Sequence, residues 1–225
     1  MVDERVVQQG REQARPAEVS SVIRNTYMLL SLTLIFSALT AAVSIVVNPP
    51  PMTGLICTGA SLLLLWFVLP RTANSSAGLG VVFLITGLLG FGLGPILNHY
   101  LTGFANGGQM IMTALGGTGV IFLGLSAYVF TTRKDFSFMG GFLFVGILVA
   151  FLCGIGALIF QMPGMMLGVS AMFILLMSGL ILYQTSAIIH GGETNYIMAT
   201  ITLYIALYNL FTSLLHLLMA FAGER

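Results

Sequence analysis

The stretch "FMGGFLFVGILVAFLCGIGALIF" (138–160) contains no charged residue over its whole length. The segment "TTRKDFS" (131–137) precedes it and "QMPG" (161–164) follows it, so polar and helix-breaking residues bound it on both sides. An α-helix needs about 20 apolar residues to cross the ~30 Å hydrocarbon core of a bilayer. The stretch therefore predicts a transmembrane helix.

Six further apolar stretches of similar length repeat this pattern along the chain. The seven predicted spans are Tyr27–Val47, Met52–Leu69, Ala77–Leu97, Gly108–Phe130, Phe138–Phe160, Met165–Ala187 and Tyr196–Phe221. The chain has 57% hydrophobic and only 7% charged residues, whereas a soluble domain carries about 25% charged residues. The alternating segments of ~10 residues that are typical of a membrane β-barrel do not occur in the sequence. The sequence therefore predicts an all-α, polytopic membrane protein that has the lipid bilayer as its solvent.

The connections and the basic residues predict how the spans are arranged. Every connection is short, so consecutive helices are expected to be antiparallel neighbours in one bundle. All basic residues except Arg225 fall on the N-terminal side of a seven-span topology: Arg5, Arg11, Arg15, Arg24, Arg71, Arg133 and Lys134. Basic residues in short loops stay in the cytoplasm. We therefore expect a cytoplasmic N-terminus and an external C-terminus.

Glycines spaced one helical turn apart occur in two spans. Gly90 and Gly94 form one G-x-x-x-G motif, and Gly164 and Gly168 form another. Small residues at this spacing let two helix backbones approach closely in lipid. We interpret both motifs as packing within the chain, with a homo-oligomer interface as the alternative. Pro95 is expected to kink or end the third helix.

Several strings in the sequence are similar to those of a known membrane protein family. The strings "RNTYMLLSLTLIFSALTA" (24–41), "GLGPILNHYL" (92–101), "SAYVFTTRKDFSFMGG" (126–141) and "IIHGGETNYI" (188–197) resemble the Bax inhibitor-1 family, and the resemblance runs from about residue 20 to the C-terminus. It implies a bundle in which six helices surround a central seventh, in the bacterial inner membrane with the C-terminus in the periplasm. It also implies two alternative roles. One is a substrate and inhibitor of a membrane-anchored AAA+ protease of the FtsH type and its associated membrane proteins, and the other is a leak channel for calcium or protons.

The leak role depends on two positions that the resemblance assigns to it. Calcium-conducting members carry an aspartate pair, and the matching positions here are Gln184 and Ala206. Calcium requires hard oxygen ligands, which an amide and a methyl group do not replace. Thr202, Asn209 and His216 recur every seven residues and form a polar stripe on the seventh helix, for which Gln184 is a plausible partner. These five residues are the candidates for an ion pathway, but hydrogen bonding between helices is the favoured interpretation.

The sequence offers little for catalysis or for cofactors. The "HGGE" turn (190–193) supplies only two possible metal ligands, and zinc takes at least three from the protein. Hydrolase and metalloprotease motifs are absent from the sequence. We therefore expect neither an enzyme nor a metal site, no cofactor and no nucleic-acid partner.

The first twenty-five residues differ from the rest in composition. Residues 1–25 are predicted to form a disordered cytoplasmic tail, because they contain too few apolar side chains to fold alone, and residues 26–225 are predicted to form the seven-helix domain. The resemblance implies that the tail is a handle which the protease grasps, and an inert solvated tail is the alternative. The residues assigned to this handle are Val2, Asp3, Glu4, Arg5, Arg11 and Arg15.

Overall fold

Seven long helices make up the part of the chain that the structure describes. The computed structural model describes the backbone of residues 4–222 and the side chains of residues 18–222. The helices are α1 (Glu4–Val47), α2 (Met52–Thr72), α3 (Ser76–Gly103), α4 (Gly107–Thr132), α5 (Gly140–Ile159), α6 (Pro163–Ile189) and α7 (Tyr196–Ala222). Each contains a segment long and apolar enough to cross a membrane. The predicted all-α architecture with seven spans is therefore confirmed.

The prolines interrupt the helices less than the sequence suggests. α3 continues through Pro95 to Gly103, so Pro95 does not end this helix, and a kink at this position stays a prediction. α2 also passes its proline, because a π-helical segment (Leu64–Val68) connects the α-helix Met52–Leu63 to the last turn, Leu69–Thr72. Pro70 follows the π-helical segment directly, and such a wider turn is a known place for a helix to absorb a proline that has no N–H to donate.

The N-terminal segment has a helical backbone. The structure carries α1 back to Glu4, whereas the sequence predicts a disordered tail up to residue 25. Glu, Gln, Arg and Ala dominate this segment, and all four are strong helix formers, which accounts for the difference. The division of the chain into a tail (1–25) and a membrane domain (26–225) stays a prediction.

The two glycine motifs differ in whether another helix packs against them. A Cβ atom at Gly90 would collide with Ser37 and Thr40 of α1, and one at Gly94 would collide with Ser44 of α1. This motif therefore packs α3 closely against α1, as predicted. No atom lies within 4 Å of the position that a Cβ would take at Gly164 or Gly168, so the prediction of packing within the chain is wrong for the second motif.

α7 packs against four of the other six helices. Its neighbours are α1, α3, α4 and α6. Leu203, Ala206 and Leu210 on α7 are completely buried, and Tyr204 is 1% exposed. The largest cluster of buried apolar residues includes these side chains and joins α7 to α1, α3 and α6. A strictly central position for α7, surrounded by all six others, stays a prediction.

Candidate functional site

The two positions that replace the family's aspartate pair are both buried. Gln184 on α6 is 5% exposed, and Ala206 on α7 is 0% exposed. The Nε2 atom of Gln184 has no hydrogen-bond partner within the described structure. The described carboxylates are Glu18 near the membrane end of the N-terminal segment and Asp135 and Glu193 in loops. Neither of the two matching positions carries a charge.

The polar stripe on α7 bonds mainly within its own helix. Thr202 donates to the carbonyl of Met198 at 2.9 Å, and the Asn209 amide donates to the carbonyl of Ile205 at 2.9 Å. His216 alone of the three stripe residues reaches another helix, with its Nδ1 atom 2.8 Å from the Ser170 hydroxyl on α6. None of the described hydrogen bonds joins the stripe to Gln184, so the structure does not show the expected pairing. An ion pathway through these residues stays a prediction.

A buried junction that the sequence does not single out lies at Tyr204. The Tyr204 hydroxyl donates to the carbonyl of Thr86 on α3 at 3.2 Å, and its oxygen lies 2.6 Å from the Ser37 hydroxyl on α1. Because the single Tyr204 hydrogen is donated to Thr86, Ser37 is the donor in the second bond. Three helices are thereby joined at one side chain. The available sequence signal is the tyrosine itself, since a buried tyrosine hydroxyl usually finds a partner.

The turn after α6 is bonded to the loop between α4 and α5. The Ser186 hydroxyl accepts from the Phe136 N–H at 3.0 Å and donates to the Lys134 carbonyl at 3.2 Å. The Nε2 atom of His190 lies 3.1 Å from the Arg133 carbonyl, and its Nδ1 atom lies 2.9 Å from the Ser186 carbonyl. Both carbonyls are acceptors, so the neutral imidazole bonds one of them and the imidazolium bonds both. His190 therefore connects the turn after α6 to the loop between α4 and α5.

The neighbouring loop positions are also fixed by short local bonds. Gly191 has a φ of 74°, which glycine adopts without strain and which the predicted tight turn requires. Asp135 accepts from the Ser137 N–H at 2.9 Å, and this hydrogen bond lowers the pKa of the Asp135 carboxyl. No group of three or more His, Cys, Asp or Glu side chains that could hold a metal ion occurs among residues 18–222.

Asn195 ties the start of α7 to the loop between α2 and α3. Its side-chain oxygen accepts from the N–H groups of Ile197 and Met198 at 2.9 and 3.2 Å, so it caps the helix. Its amide nitrogen donates to the Ala73 carbonyl at 3.0 Å and to Asn74 at 2.8 Å. The three loops on this side of the bundle therefore form one bonded surface, which we call the loop face.

The loop face lies beside the first residues of the first span. A cavity of about 1210 Å³ is lined by residues 18–23 of α1, by Arg133 and by His190 and Glu193 after α6. Val2 and Asp3 of the predicted handle lie outside the described residues, and so do the side chains of Glu4, Arg5, Arg11 and Arg15, whose backbone is helical. The helix that carries the predicted handle thus continues into this face.

Comparison with known proteins extends over nearly the whole chain. A family model described as "Inhibitor of apoptosis-promoting Bax1" matches residues 19–223. The chain is 49% identical over 215 residues to a protein of Escherichia coli (strain K12) named "Modulator of FtsH protease YccA", covering 96% of this chain and 97% of that protein. It is 50% identical over 212 residues to an uncharacterized protein of Pseudomonas aeruginosa, covering 94% of each. It is 32% identical over 215 residues to an uncharacterized protein of Campylobacter jejuni, covering 93% of each.

Proposed function

The chain belongs to the Bax inhibitor-1 family, and we propose that it is an inner-membrane protein that serves as a substrate and an inhibitor of a membrane-anchored AAA+ protease of the FtsH type. The observation that carries the proposal is its 49% identity, over almost the full length of both proteins, to the relative named as a modulator of that protease. The proposal has two physical requirements. The protease must find a segment to grasp, and the membrane domain must resist extraction.

The segment to be grasped is the N-terminal part of α1. α1 has 44 residues and is therefore about 66 Å long, roughly twice the ~30 Å hydrocarbon core. Residues 4–17 lie N-terminal to the apolar span Tyr27–Val47. A single helix without tertiary packing is only marginally stable in water. A pulling motor can therefore unwind this segment and use it as a handle.

Resistance to extraction comes from the way α1 is held in the bundle. Pulling on the handle transmits force first to α1, since the two form one continuous helix. Gly90 and Gly94 bring the α3 backbone against α1, and the Ser37 hydroxyl bonds Tyr204 on α7. α1 also hydrogen-bonds α4 through Tyr27 and Ser126 at 3.2 Å. If the protease grasps the chain but α1 separates slowly from the bundle, the protease stays occupied. An occupied protease cannot degrade other substrates and is thereby inhibited.

The proposed orientation places the loop face and the handle in the cytoplasm and the C-terminus in the periplasm. Arg71, Arg133 and Lys134 lie in or beside two of the three loops that meet at this face. Basic residues that are concentrated in the short loops at one end of the bundle favour a cytoplasmic location for that end. An FtsH-type motor that works in the cytoplasm would meet the handle there.

The test combines turnover with capture. Deleting residues 2–19 is expected to lengthen the protein's lifetime sharply in cells that contain the protease and to abolish capture by a proteolytically inactive form of it. The deletion removes few apolar residues of the bundle and keeps Arg24 as a topological anchor. Cells that lack the protease provide the control for turnover by other routes.

A second variant separates reach from recognition. Replacing residues 2–19 with an unrelated flexible sequence of equal length is expected to restore turnover, because a motor needs only an accessible, weakly structured segment. Restoration by the native sequence alone would make the segment a specific recognition signal. Equal lifetimes of the truncated and full-length proteins, together with equal capture, would refute the proposed handle.

A further inference from the structure

A second cavity, of about 420 Å³, lies within the membrane-spanning part of the bundle between α1, α3, α4 and α7. Its walls come from the second half of α1 (residues 34–45) and the first half of α4 (residues 111–122), and Tyr204 lies at its floor. Leu34 and Leu115 on the two walls are 37% and 51% exposed. The cavity is therefore a groove that opens sideways toward lipid, in the half of the membrane away from the N-terminus.

The groove exists because α1 and α4 stay apart over this length. No Cα atom of α1 lies within 8 Å of a Cα atom of α4 among the described residues. The two helices meet at one end of the groove, where the Tyr27 ring packs on the Phe122 ring with centroids 5.8 Å apart. Beyond that contact, the small residues Ala38 on α1 and Gly119 on α4 leave the space between the walls empty.

The chemistry of the lining favours hydrocarbon over water. Three of the four hydroxyl groups in the lining are already bonded within the protein: Ser37 to Tyr204 at 2.6 Å, Tyr204 to the Thr86 carbonyl at 3.2 Å, and Thr118 to the Ala114 carbonyl at 2.7 Å. The fourth belongs to Tyr208, and the remaining lining side chains are apolar. A buried water needs two to four polar partners, which this lining does not supply.

The dimensions select the kind of hydrocarbon. The wall from Leu34 to Ile45 spans eleven residue steps, or about 17 Å, which is about half of the ~30 Å hydrocarbon core. A helix of that length and ~10 Å diameter would fill on the order of 1300 Å³, which exceeds the about 1130 Å³ of free space between the walls even when the opening toward lipid is included. A single extended hydrocarbon chain is much thinner. We propose that the groove binds one acyl chain of a membrane phospholipid from the leaflet opposite the N-terminus.

The test counts phospholipids that stay bound to the full chain. The protein is reconstituted into nanodiscs of a single phosphatidylethanolamine and released into native mass spectrometry under increasing activation. Gly119→Leu and Ala38→Leu each fill the groove from one wall, and no atom lies within 4 Å of a Cβ placed at Gly119. The matched control is Gly116→Leu, which adds the same side chain to an exposed position of α4 outside the groove lining.

The wild type and Gly116→Leu are expected to retain one phospholipid per chain after the other lipids have dissociated, and both groove-filling variants are expected to lose it. Circular dichroism checks that each variant keeps its helical content. If one filled variant fails to fold, the other still decides the comparison. The proposal is overturned if the wild type retains no phospholipid or if the filled variants retain it equally. It is also overturned if the groove-filling variants lose a bound second copy of the chain and not a phospholipid, because the groove would then bind protein.

Discussion

Removing the Tyr204 hydroxyl tests the junction of three helices with little change in packing. Tyr204→Phe keeps the ring and deletes the bonds to Ser37 and to the Thr86 carbonyl. Hydrogen bonds between membrane helices contribute about 0.6 kcal/mol on average and about 1.7 kcal/mol at most. Ser37 is 7% exposed and loses its partner, but a serine in a helix can turn to a carbonyl one turn earlier, which limits the loss. We therefore expect a loss of about 1 kcal/mol in the free energy of unfolding.

The assay is reversible unfolding in bilayers by steric trapping, with Tyr208→Phe as the matched control. Tyr208 is stacked against Tyr204 with ring centroids 6.4 Å apart, but its hydroxyl lies beside Thr58 of α2 and takes no part in the Tyr204 bonds to Ser37 and Thr86. Tyr208→Phe is therefore expected to change stability by less than ~0.5 kcal/mol. A double-mutant cycle with Ser37→Ala should give a coupling energy near 0.6 kcal/mol. Equal losses for the two tyrosine variants, or a coupling energy of zero, would refute the assigned junction.

Three further outcomes follow from the packing, the charges and the topology. Gly94→Ala should lower the free energy of unfolding by about 1–3 kcal/mol through overpacking, whereas Gly168→Ala should leave it unchanged or raise it, as thermal unfolding will show. Liposomes that contain the purified chain should show negligible calcium flux, because Gln184 and Ala206 supply no carboxylate, and robust flux would contradict this. Reporter fusions after Arg133 should report a cytoplasmic location and fusions after Arg225 a periplasmic one, and the reverse result would overturn the proposed orientation.

The seven spans could be predicted because the bilayer sets a length that the sequence must meet. Charges and turn residues mark the breaks, and the helices observed agree with the prediction except near the ends. The extension of α3 beyond Pro95 could not be read from the sequence, because a proline removes one hydrogen bond but does not forbid the turns that follow it. Similarly, composition indicated disorder for residues 1–25, while local helix propensity carries α1 back to Glu4.

Much less of the candidate site could be predicted. A sequence pattern shows which residues share one face of a helix, but it does not show which other helix that face contacts. The seven-residue period predicts that Thr202, Asn209 and His216 share one stripe, but it does not show that two of them bond their own helix. The glycine motifs make the same point, since Gly94 contacts α1 and Gly168 contacts nothing within 4 Å. The groove beside Tyr204 depends on α1 and α4 staying apart. Neither helix carries a pattern in its sequence that predicts this separation.

The proposed mechanism predicts that resistance to the protease depends on where the bundle is weakened. A motor that pulls from the N-terminus must first separate α1 from α3 and α7, whereas the α5–α6 interface opens later. Gly179→Ala brings a Cβ to 2.9 Å from the flexible end of the Leu143 side chain of α5 and so crowds that later interface mildly. We expect Gly94→Ala to shorten the protein's lifetime about fivefold for each ~1 kcal/mol lost, and to weaken inhibition of the protease. Gly179→Ala should change the lifetime far less for each kcal/mol of stability that it costs. If the two variants shorten the lifetime equally for each kcal/mol lost, degradation follows global unfolding, and extraction that begins at α1 is refuted.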